Sequence, residues 1–316
     1  MMQAMRVGMI GLGDIATKAY LPVMADREDI ELVLCTRNAV TLEQLQSKYR
    51  IAKTTESVEQ LIATGIKAAF IHSSTESHAR IAEQLITNGI HVFVDKPISY
   101  HYEECERIVE LAKQNHVLLM VGFNRRFAPR ISSLKAQADA RLVIMQKNRI
   151  ALPDVARRFI FDDFIHVIDT LRYLAPGEVK RIGVQPHVHD GLLYHITLQL
   201  EGDGFTCFGI MNRDSGANEE LLELMNPGNK WTVDSLNTAI HLANGEEKHL
   251  KYGDWDPVLY RRGFADMTEH FLKCVRGEEQ PLITNTDALE SHRICELAVQ
   301  EAEKLGAVAL KSQTEI

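Results

Sequence analysis

The chain has 316 residues, of which 45% are hydrophobic, and a formal net charge of −8. This size and apolar content predict two well-packed domains. The acidic balance without a basic cluster argues against a nucleic-acid partner. No apolar run approaches the roughly 18–20 residues of a membrane span. Five scattered cysteines without a C-x-x-C pair, and a start without a signal-peptide pattern, predict a reduced, cytoplasmic protein.

The first part of the chain alternates between strand and helix patterns. Apolar runs predict strands at residues 6–10, 31–35, 68–72, 91–94 and 117–121. Helical spacing between them predicts helices at residues 42–49, 76–88 and 102–115. Such alternation is typical of a doubly wound parallel sheet. Residues 1–122 are therefore predicted to form a dinucleotide-binding Rossmann domain of the α/β class.

After about Gly122 the pattern changes to strands with few helices between them. The predicted strands are residues 141–149, 179–188, 192–200, 205–211, 220–225 and 230–235, and the predicted helices are residues 164–174, 260–275 and 287–305. The last two helices are predicted to end at Gly277 and Gly306. Long strands without crossover helices favour a largely antiparallel sheet. Residues 123–316 are predicted to be an α+β domain for substrate binding and oligomerisation, with packing of the last helix back on the first domain as an open alternative.

A glycine-rich turn follows the first predicted strand. Gly11, Gly13 and Ala16 match the dinucleotide fingerprint in its G-x-G-x-x-A form. The first glycine makes the turn, the second lets a pyrophosphate approach the backbone, and the small third residue packs helix on strand. Helix amides that begin near Asp14 would face the phosphates. The alternative is a tight turn without a ligand.

The end of the second predicted strand bears on the choice of nicotinamide cofactor. An acid about 20 residues after the fingerprint binds the ribose 2′-hydroxyl of NAD, and none is present here. Thr36 and Arg37 instead offer a hydroxyl and a guanidinium, which suit a 2′-phosphate. NADP is therefore predicted, with NAD as the second possibility. In the alternative interpretation Arg37 is a solvated loop residue.

A lysine stands at the end of the strand over residues 91–94. Pro97 cannot donate a ladder hydrogen bond and holds the preceding residue extended, so the strand ends at Asp95-Lys96-Pro97. Lys96 is thereby placed at the carboxyl edge of the sheet, where ligands bind in open α/β folds. An amine there, next to a dinucleotide turn, indicates redox chemistry on a small molecule.

A later helix over residues 160–174 carries a histidine with acidic neighbours. Asp162, His166, Asp169 and Tyr173 share one face by spacings of four, three and four. A histidine suits proton transfer near neutral pH, with Asp162 as its orienting partner. Only the spacing of four favours Asp162 over the adjacent Asp163. The alternative is a polar face turned to water.

Taken together, these motifs resemble the Gfo/Idh/MocA oxidoreductases, the family of glucose–fructose oxidoreductase and inositol dehydrogenase. The resemblance covers nearly the whole chain. Its motifs stand in order at residues 11–16, 74–78, 89–99, 122–127, 162–169 and 281–291.

The resemblance implies hydride transfer between nicotinamide C4 and a secondary alcohol or ketone of a sugar, cyclitol or related polyol. It assigns catalysis to Lys96, Asp162 and His166, with His166 as proton acceptor. It places the substrate between the dinucleotide domain and an open antiparallel sheet, and implies a homodimer or homotetramer. The implied cofactor contacts beyond the glycines, Thr36 and Arg37 are Asp14, Ile15, Ser73, Ser74, His78, Asp95, Lys96, Asn124 and Arg126.

The chain departs from the family pattern in a small way at Asp95 and in a larger way over residues 157–161, and the larger departure leaves the substrate open. Asp95 stands where the motif usually has Glu, and bulky residues over 157–161, including Arg157 and Arg158, replace a run of small glycines. The two arginines are candidates for gripping an acidic or phosphorylated substrate, or are solvated. No metal site is predicted. Two other functions stay open: a non-catalytic nucleotide-sensing protein, and NAD-dependent glycoside cleavage without net redox change.

Overall fold

The structure, a computed structural model, describes residues 4–137 and 139–314, with side chains up to residue 305. These residues divide into two compact units. The first comprises residues 4–122 together with Phe264–Leu289, and the second comprises Phe123–Gly263 and the residues from Glu290 onward. In the described ranges, no helix combines the length and apolar character needed to cross a membrane.

Six parallel strands form the sheet of the first unit. They are β1 (Met5–Ile10), β2 (Ile30–Cys35), β3 (Lys53–Thr55), β4 (Ala68–Ile71), β5 (His91–Val94) and β6 (Leu119–Val121). Their order is β3-β2-β1-β4-β5-β6, so the strand order reverses between β1 and β4, the point where such sheets bind ligands. The predicted doubly wound parallel sheet is confirmed. Strand β3 was not predicted because its three residues contain no apolar run.

Helices join these strands. They are a wide π-helical turn over Ala16–Tyr20, α1 (Leu21–Met24), α2 (Ala39–Tyr49), α3 (Val58–Ala63), α4 (Thr75–Thr87) and α5 (Tyr102–Gln114). Helix α4 buries Ile81, Ala82, Leu85 and Ile86, which recur at helical spacing. Burial of this apolar stripe holds the start of α4 at the carboxyl end of β4.

The second unit contains an eight-stranded, mostly antiparallel sheet. Its strands are β7 (Leu142–Asn148), β8 (Arg181–His189), β9 (Leu192–Gly202), β10 (Phe205–Asn212), β11 (Glu219–Asn226), β12 (Asn229–Asp234), β13 (Thr238–Ala243) and β14 (Glu246–Leu250). The order is β14-β13-β12-β11-β7-β10-β9-β8, in which β7 and β10 run parallel and the other neighbours antiparallel. The predicted largely antiparallel sheet is confirmed. Strands β13 and β14 were not predicted, and β14 is almost entirely exposed and charged.

The remaining helices differ from the predicted ones at two places: residues 260–275 do not form one continuous helix, and the last helix extends beyond Gly306. They are a 3₁₀ turn over Asn124–Phe127, α6 (Pro129–Lys135), α7 (Ala156–Phe159), a π-helical turn over Ile160–Phe164, α8 (Ile165–Leu174), α9 (Val258–Arg261), α10 (Phe264–Val275) and α11 (Asn285–Thr314). The predicted helix over 260–275 is interrupted at Gly263, whose φ is +78°. Gly277 follows the end of α10 as predicted, but the predicted stop at Gly306 is wrong because α11 continues to Thr314.

Helix α8 lies directly on the second sheet. A Cβ atom added to Gly209 of β10 would come within 2.9 Å of Val167 and 3.0 Å of Leu171. The missing side chain therefore allows the close approach of helix and sheet. Phe164 and Ile165, at the junction of the π turn and α8, are also fully buried. This packing fixes the position of the acidic and histidine residues around the π turn.

Candidate functional site

The glycine turn after β1 has the geometry that a dinucleotide needs. Gly11 has a φ of +81°, and an added Cβ would lie 2.4 Å from the backbone nitrogen of Ser73. Only glycine fits this close approach of two strand ends. At Gly13, an added Cβ would meet no heavy atom of the described chain within 4 Å. The turn is therefore tightly packed beneath Gly11 and open above Gly13, where a pyrophosphate would approach.

The helix after this turn presents its amino end to the same edge. Thr17 N donates to Gly13 O (3.0 Å), so the amides of Asp14 and Ile15 precede the first hydrogen bond inside the helix. Such amides bind phosphate groups well. The Asp14 carboxylate is exposed and pairs with Lys18 at 2.6 Å. Ala16 is completely buried, as expected for the small residue that packs helix on strand.

A cavity of about 360 Å³ opens beside the turn at the carboxyl ends of β1, β2 and β4. It is lined by Gly11, Thr36, Arg37 and Ser73, as the sequence predicts, and also by Arg80. Glu56 and Glu59 line it as well. Arg80 was missed because, on the exposed side of α4, it looks like any solvated helix residue. The cavity lies at the edge of the sheet where the adenosine end of a dinucleotide is expected, and its two guanidiniums are suited to a phosphate.

The turn that carries Lys96 is tied to the end of the neighbouring strand. Asp95 Oδ1 accepts a hydrogen bond from Lys96 N (2.9 Å). The His78 ring, buried on α4, lies 2.8 Å from Pro97 O through Nδ1 and 2.9 Å from Ser73 O through Nε2. Lys96 itself is half-buried, and the bond from Lys96 to Pro97 is cis. These contacts hold Lys96 at the carboxyl edge of the first sheet.

Two aromatic rings, those of His72 and Tyr20, lie beneath this turn next to the Asp95 carboxylate. His72 Nδ1 is 3.9 Å from Asp95 Oδ2, and the ring centroids of His72 and Tyr20 are 4.0 Å apart. Burial lowers the pKa of His72 to about 3, so its ring is neutral near neutral pH. Burial also raises the pKa of Asp95, against the opposing effect of Lys96. The region beneath Lys96 is therefore poorly solvated. The low local dielectric strengthens the electrostatic effect of the Lys96 charge.

In the second unit, the adjacent aspartates of the π turn have different surroundings. Asp163 is buried and accepts hydrogen bonds from Lys147 and from Arg149 Nε (2.9 Å). Burial alone would raise the pKa of Asp163, but Lys147 and Arg149 outweigh it and hold the pKa well below its usual range. Asp162 is half-buried. The Asp163 carboxylate is thus bound within a cluster of charged side chains. The spacing of these residues in the sequence did not predict the cluster.

Lys147 is the unusual member of this cluster. It lies on β7 with only 3% of its side chain exposed. Burial and the nearby Arg125 lower the pKa of Lys147 to about 7, although Asp163 acts in the opposite direction. Arg125 in turn makes a two-pronged pair with Glu220, at 2.7 and 2.6 Å. The sequence pattern does not mark Lys147 as a site residue, because a lysine on an alternating strand normally faces water.

The helix α8 does not turn a polar face to water. His166 is buried, and Asp169 is 1% exposed. Asp169 receives two hydrogen bonds from Arg126, at 2.9 and 2.6 Å, and one from the Ser291 hydroxyl at 2.9 Å. Asn124 Nδ2 donates to Arg262 O (2.8 Å). Arg126 and Asn124 thus anchor the interior of the second unit, and their contribution to cofactor binding stays a prediction.

The two arginines of the bulky insert make ion pairs within the second unit. Arg157 donates to both carboxylate oxygens of Glu296, at 2.7 and 3.1 Å. Arg158 donates to Asp154 at 2.7 Å. Both guanidiniums therefore have carboxylate partners in the protein itself, which weakens the hypothesis that they grip the substrate.

A glycine turn of dinucleotide-binding geometry at the switch point of a Rossmann sheet, with an anchored lysine at the same edge, defines a nicotinamide-dependent oxidoreductase.

Comparison with known proteins gives the family. Residues 5–123 match the oxidoreductase family with an NAD-binding Rossmann fold known as GFO_IDH_MocA, and residues 129–244 match a YceM-like C-terminal domain. The YceM protein of Salmonella typhimurium is 31% identical, covering 95% of this chain and 99% of its own length. Inositol 2-dehydrogenase of Rhizobium meliloti is 30% identical, and the match covers 95% of this chain and 97% of the relative's length.

A solved structure agrees with this assignment. The crystal structure of a Gfo/Idh/MocA family oxidoreductase from Vibrio cholerae superposes with a TM-score of 0.91 at 32% identity, covering 96% of this chain and 100% of that one. The chain therefore belongs to the Gfo/Idh/MocA family of NAD(P)-dependent oxidoreductases, and the resemblance noted in the sequence is confirmed.

Proposed function

We propose that this protein is an NADP-preferring dehydrogenase or reductase that acts on a secondary alcohol or ketone of a sugar, cyclitol or related polyol. The observation that carries the proposal is the anchored Asp95-Lys96-Pro97 turn beside the dinucleotide turn of the same sheet. The inositol 2-dehydrogenase activity named for the Rhizobium relative supports the substrate class.

Lys96 is proposed to hold the reacting oxygen of the substrate. Its ammonium would donate to that oxygen and stabilise the negative charge that the oxygen carries once its proton is lost on oxidation, or that develops on the carbonyl oxygen as hydride is added on reduction. A nicotinamide bound at the dinucleotide turn would provide hydride chemistry at its C4 atom. Asp95 and His78 act through the backbone of the turn by fixing the direction of Lys96.

His166 is proposed to carry the hydroxyl proton. It would take the proton from the substrate oxygen on oxidation and return it on reduction, with Asp162 orienting the ring. Burial of His166 on α8, a helix held rigidly on the second sheet, supports this role because a proton carrier must keep its position. Asp163 is assigned a supporting role, since its carboxylate is already bound by Lys147 and Arg149.

The preference for NADP is proposed from Arg37 and Arg80, which line the same cavity as Thr36. We expect Arg37→Ala and Arg80→Ala each to weaken NADPH binding by about 10- to 100-fold, the value of a lost charge-assisted hydrogen bond. NADH binding should change little. Titration of nicotinamide fluorescence gives both affinities.

The matched control is Arg107→Ala, which removes an exposed arginine that pairs with Glu83 (2.8 Å). It should leave both affinities unchanged. Equal losses for NADPH and NADH in the Arg37 variant would refute recognition of the 2′-phosphate. The reaction itself is tested by following NADPH formation with myo-inositol and other free polyols. Cleavage of a glycoside without net NADPH formation would refute the dehydrogenase.

We also propose a homodimer or homotetramer assembled through the second sheet. Side chains of β8 alternate mostly between half-buried and exposed, and Phe208 on β10 is 36% exposed. Light scattering coupled to gel filtration measures the assembly, and Phe208→Glu should shift it toward the monomer. A monomeric wild-type protein would contradict this proposal.

A further inference from the structure

Two arginines stand side by side where the parallel strands of the second sheet end. Strands β7 and β10 pair in parallel, with Ile210 opposite Gln146. Arg149 and Arg213 lie three residues beyond these two positions, each just past the end of its strand. Arg149 N donates to Asn212 O (2.8 Å), so the adjacency continues to the arginines. The topology therefore brings together two cations that are 64 residues apart in sequence.

Arg213 is buried without the partners that a buried guanidinium needs. It is 7% exposed and stacks 4.9 Å from the Phe159 ring. Within residues 4–137 and 139–305, neither its Nε nor its Nη1 makes a hydrogen bond. Burial lowers the pKa of Arg213 against the opposing effect of Asp163. An unsatisfied buried cation costs stability, so its presence points to a ligand that supplies the acceptors.

The acidic residues nearby do not neutralise this site. Asp163 is bound by Lys147 and Arg149, and Asp154 accepts from Arg158. Asp154, Asp162 and Asp163 act electrostatically on Arg213, and Arg149 acts in the opposite direction. Asp154 and Asp163 are already bound by other cations, and Nε and Nη1 of Arg213 make no hydrogen bond within the described residues, so the guanidinium keeps donors for an added anion.

The site is also close to the proposed chemistry and open to solvent. Asp162 acts electrostatically on Arg213, which places the guanidinium near a proposed catalytic residue. The side chain of Arg149 is 31% exposed, so this edge of the sheet can be reached. Arg157 and Arg158 have carboxylate partners of their own, and Arg149 is bound to Asp163. Arg213 is therefore the guanidinium of this group whose Nε and Nη1 make no hydrogen bond to the described residues, with the charge of Arg149 beside it.

We propose that Arg213, assisted by Arg149, binds an oxyanion of the substrate, so that the substrate is a sugar or polyol that carries a carboxylate or a phosphate. The proposal rests on the dehydrogenase function proposed above. A guanidinium binds either oxyanion through paired N–H···O contacts. It holds the charged end of the substrate while the reaction occurs at an uncharged carbinol.

The test compares anion binding in the full-length protein and in matched variants. D-Glucuronate, D-glucose 6-phosphate and D-glucose are titrated calorimetrically into the wild type, Arg213→Met and Arg181→Met. The control residue Arg181 lies on β8 of the same sheet, with 80% of its side chain exposed. We expect the wild type to bind one of the two acids at least about tenfold more tightly than D-glucose, since a charge-assisted contact contributes that much.

Arg213→Met should lose this preference, and Arg181→Met should retain it. The acid that binds distinguishes a carboxylate from a phosphate. Arg213→Lys is the second variant, because it keeps the charge but not the planar fork, and it should bind the acid at least about threefold more weakly. Equal affinity of the wild type for acids and D-glucose would overturn the proposal, as would equal losses in the Arg213 and Arg181 variants.

Reaction rates separate this proposal from the function on which it rests. Oxidation of D-glucose and D-glucuronate with equal kcat/KM, unaltered by Arg213→Met, would leave a dehydrogenase without the anion subsite. Anion binding that depends on Arg213, without NADPH formation from any sugar, would leave the subsite and remove the dehydrogenase.

Discussion

Replacement of Asp163 by asparagine tests whether this carboxylate holds the buried charges beneath the π turn. Asparagine keeps the size of the side chain but lacks the negative charge with which both Lys147 and Arg149 pair. Breaking a buried ion pair by removing one partner costs about 3–5 kcal/mol, because the other charge stays buried. We therefore expect the free energy of unfolding to fall by about 3–5 kcal/mol at pH 5.5.

The deficit should shrink as the pH rises, for a reason that can be worked out from Lys147. Its pKa in the folded protein is about 7, and Asp163 raises it, so the variant must have a lower folded pKa. Between that lower pKa and pH 7, the unfolded variant binds a proton that the folded variant does not. Its stability therefore rises with pH. Wild-type Lys147 is protonated in both states over this interval and adds no such slope. Above pH 7 only the bonds to Arg149 are lost, about 1.5–3 kcal/mol.

Urea unfolding at pH 5.5, 7.0 and 8.5 measures the deficit, with Asp162→Asn as the matched control. Asp162 is half-buried, and we expect its replacement to cost at most about 1 kcal/mol while lowering turnover more than Asp163→Asn does in fully folded enzyme. A deficit for Asp163→Asn that does not change with pH, or that grows as pH rises, would refute the argument. A larger loss of turnover in Asp163→Asn would transfer the proposed orienting role to Asp163.

Three further substitutions test Lys96 at the end of β5, His166 on α8 and the buried His72 at the end of β4. Lys96→Ala should lower kcat by about 10²- to 10³-fold in steady-state assays while NADPH affinity stays nearly the same; unchanged turnover would exclude Lys96 from catalysis. His166→Asn should lower kcat by about 10²- to 10⁴-fold and abolish the pH dependence of the rate near neutrality, and an unaltered pH–rate profile would remove it as proton carrier. His72→Phe should be more acid-resistant than the wild type, because a buried histidine with a pKa of about 3 costs the folded state about 1.4 kcal/mol for each pH unit below its unfolded value of about 6.5. Urea unfolding should show about 2 kcal/mol of relative gain at pH 5, and parallel stability profiles for the two proteins would contradict this.

The features that the sequence predicted correctly are those carried by local patterns. Gly11, Gly13 and Ala16 follow a buried strand within a few residues, so strand, turn and helix can be recognised together. Pro97 likewise ends β5 by its own covalent geometry and leaves Lys96 at the edge of the sheet. Alternation of strands and helices was enough to predict the parallel sheet.

Only the tertiary structure decided which distant charges meet. Lys147 and Asp163 are 16 residues apart on a strand and a π turn, and nothing in the spacing of either segment indicates the other. Arg149 and Arg213 become neighbours because β7 and β10, which are distant in sequence, pair in parallel within an eight-stranded sheet. Burial and charge pairing depend on such long-range contacts, and a local pattern does not contain them.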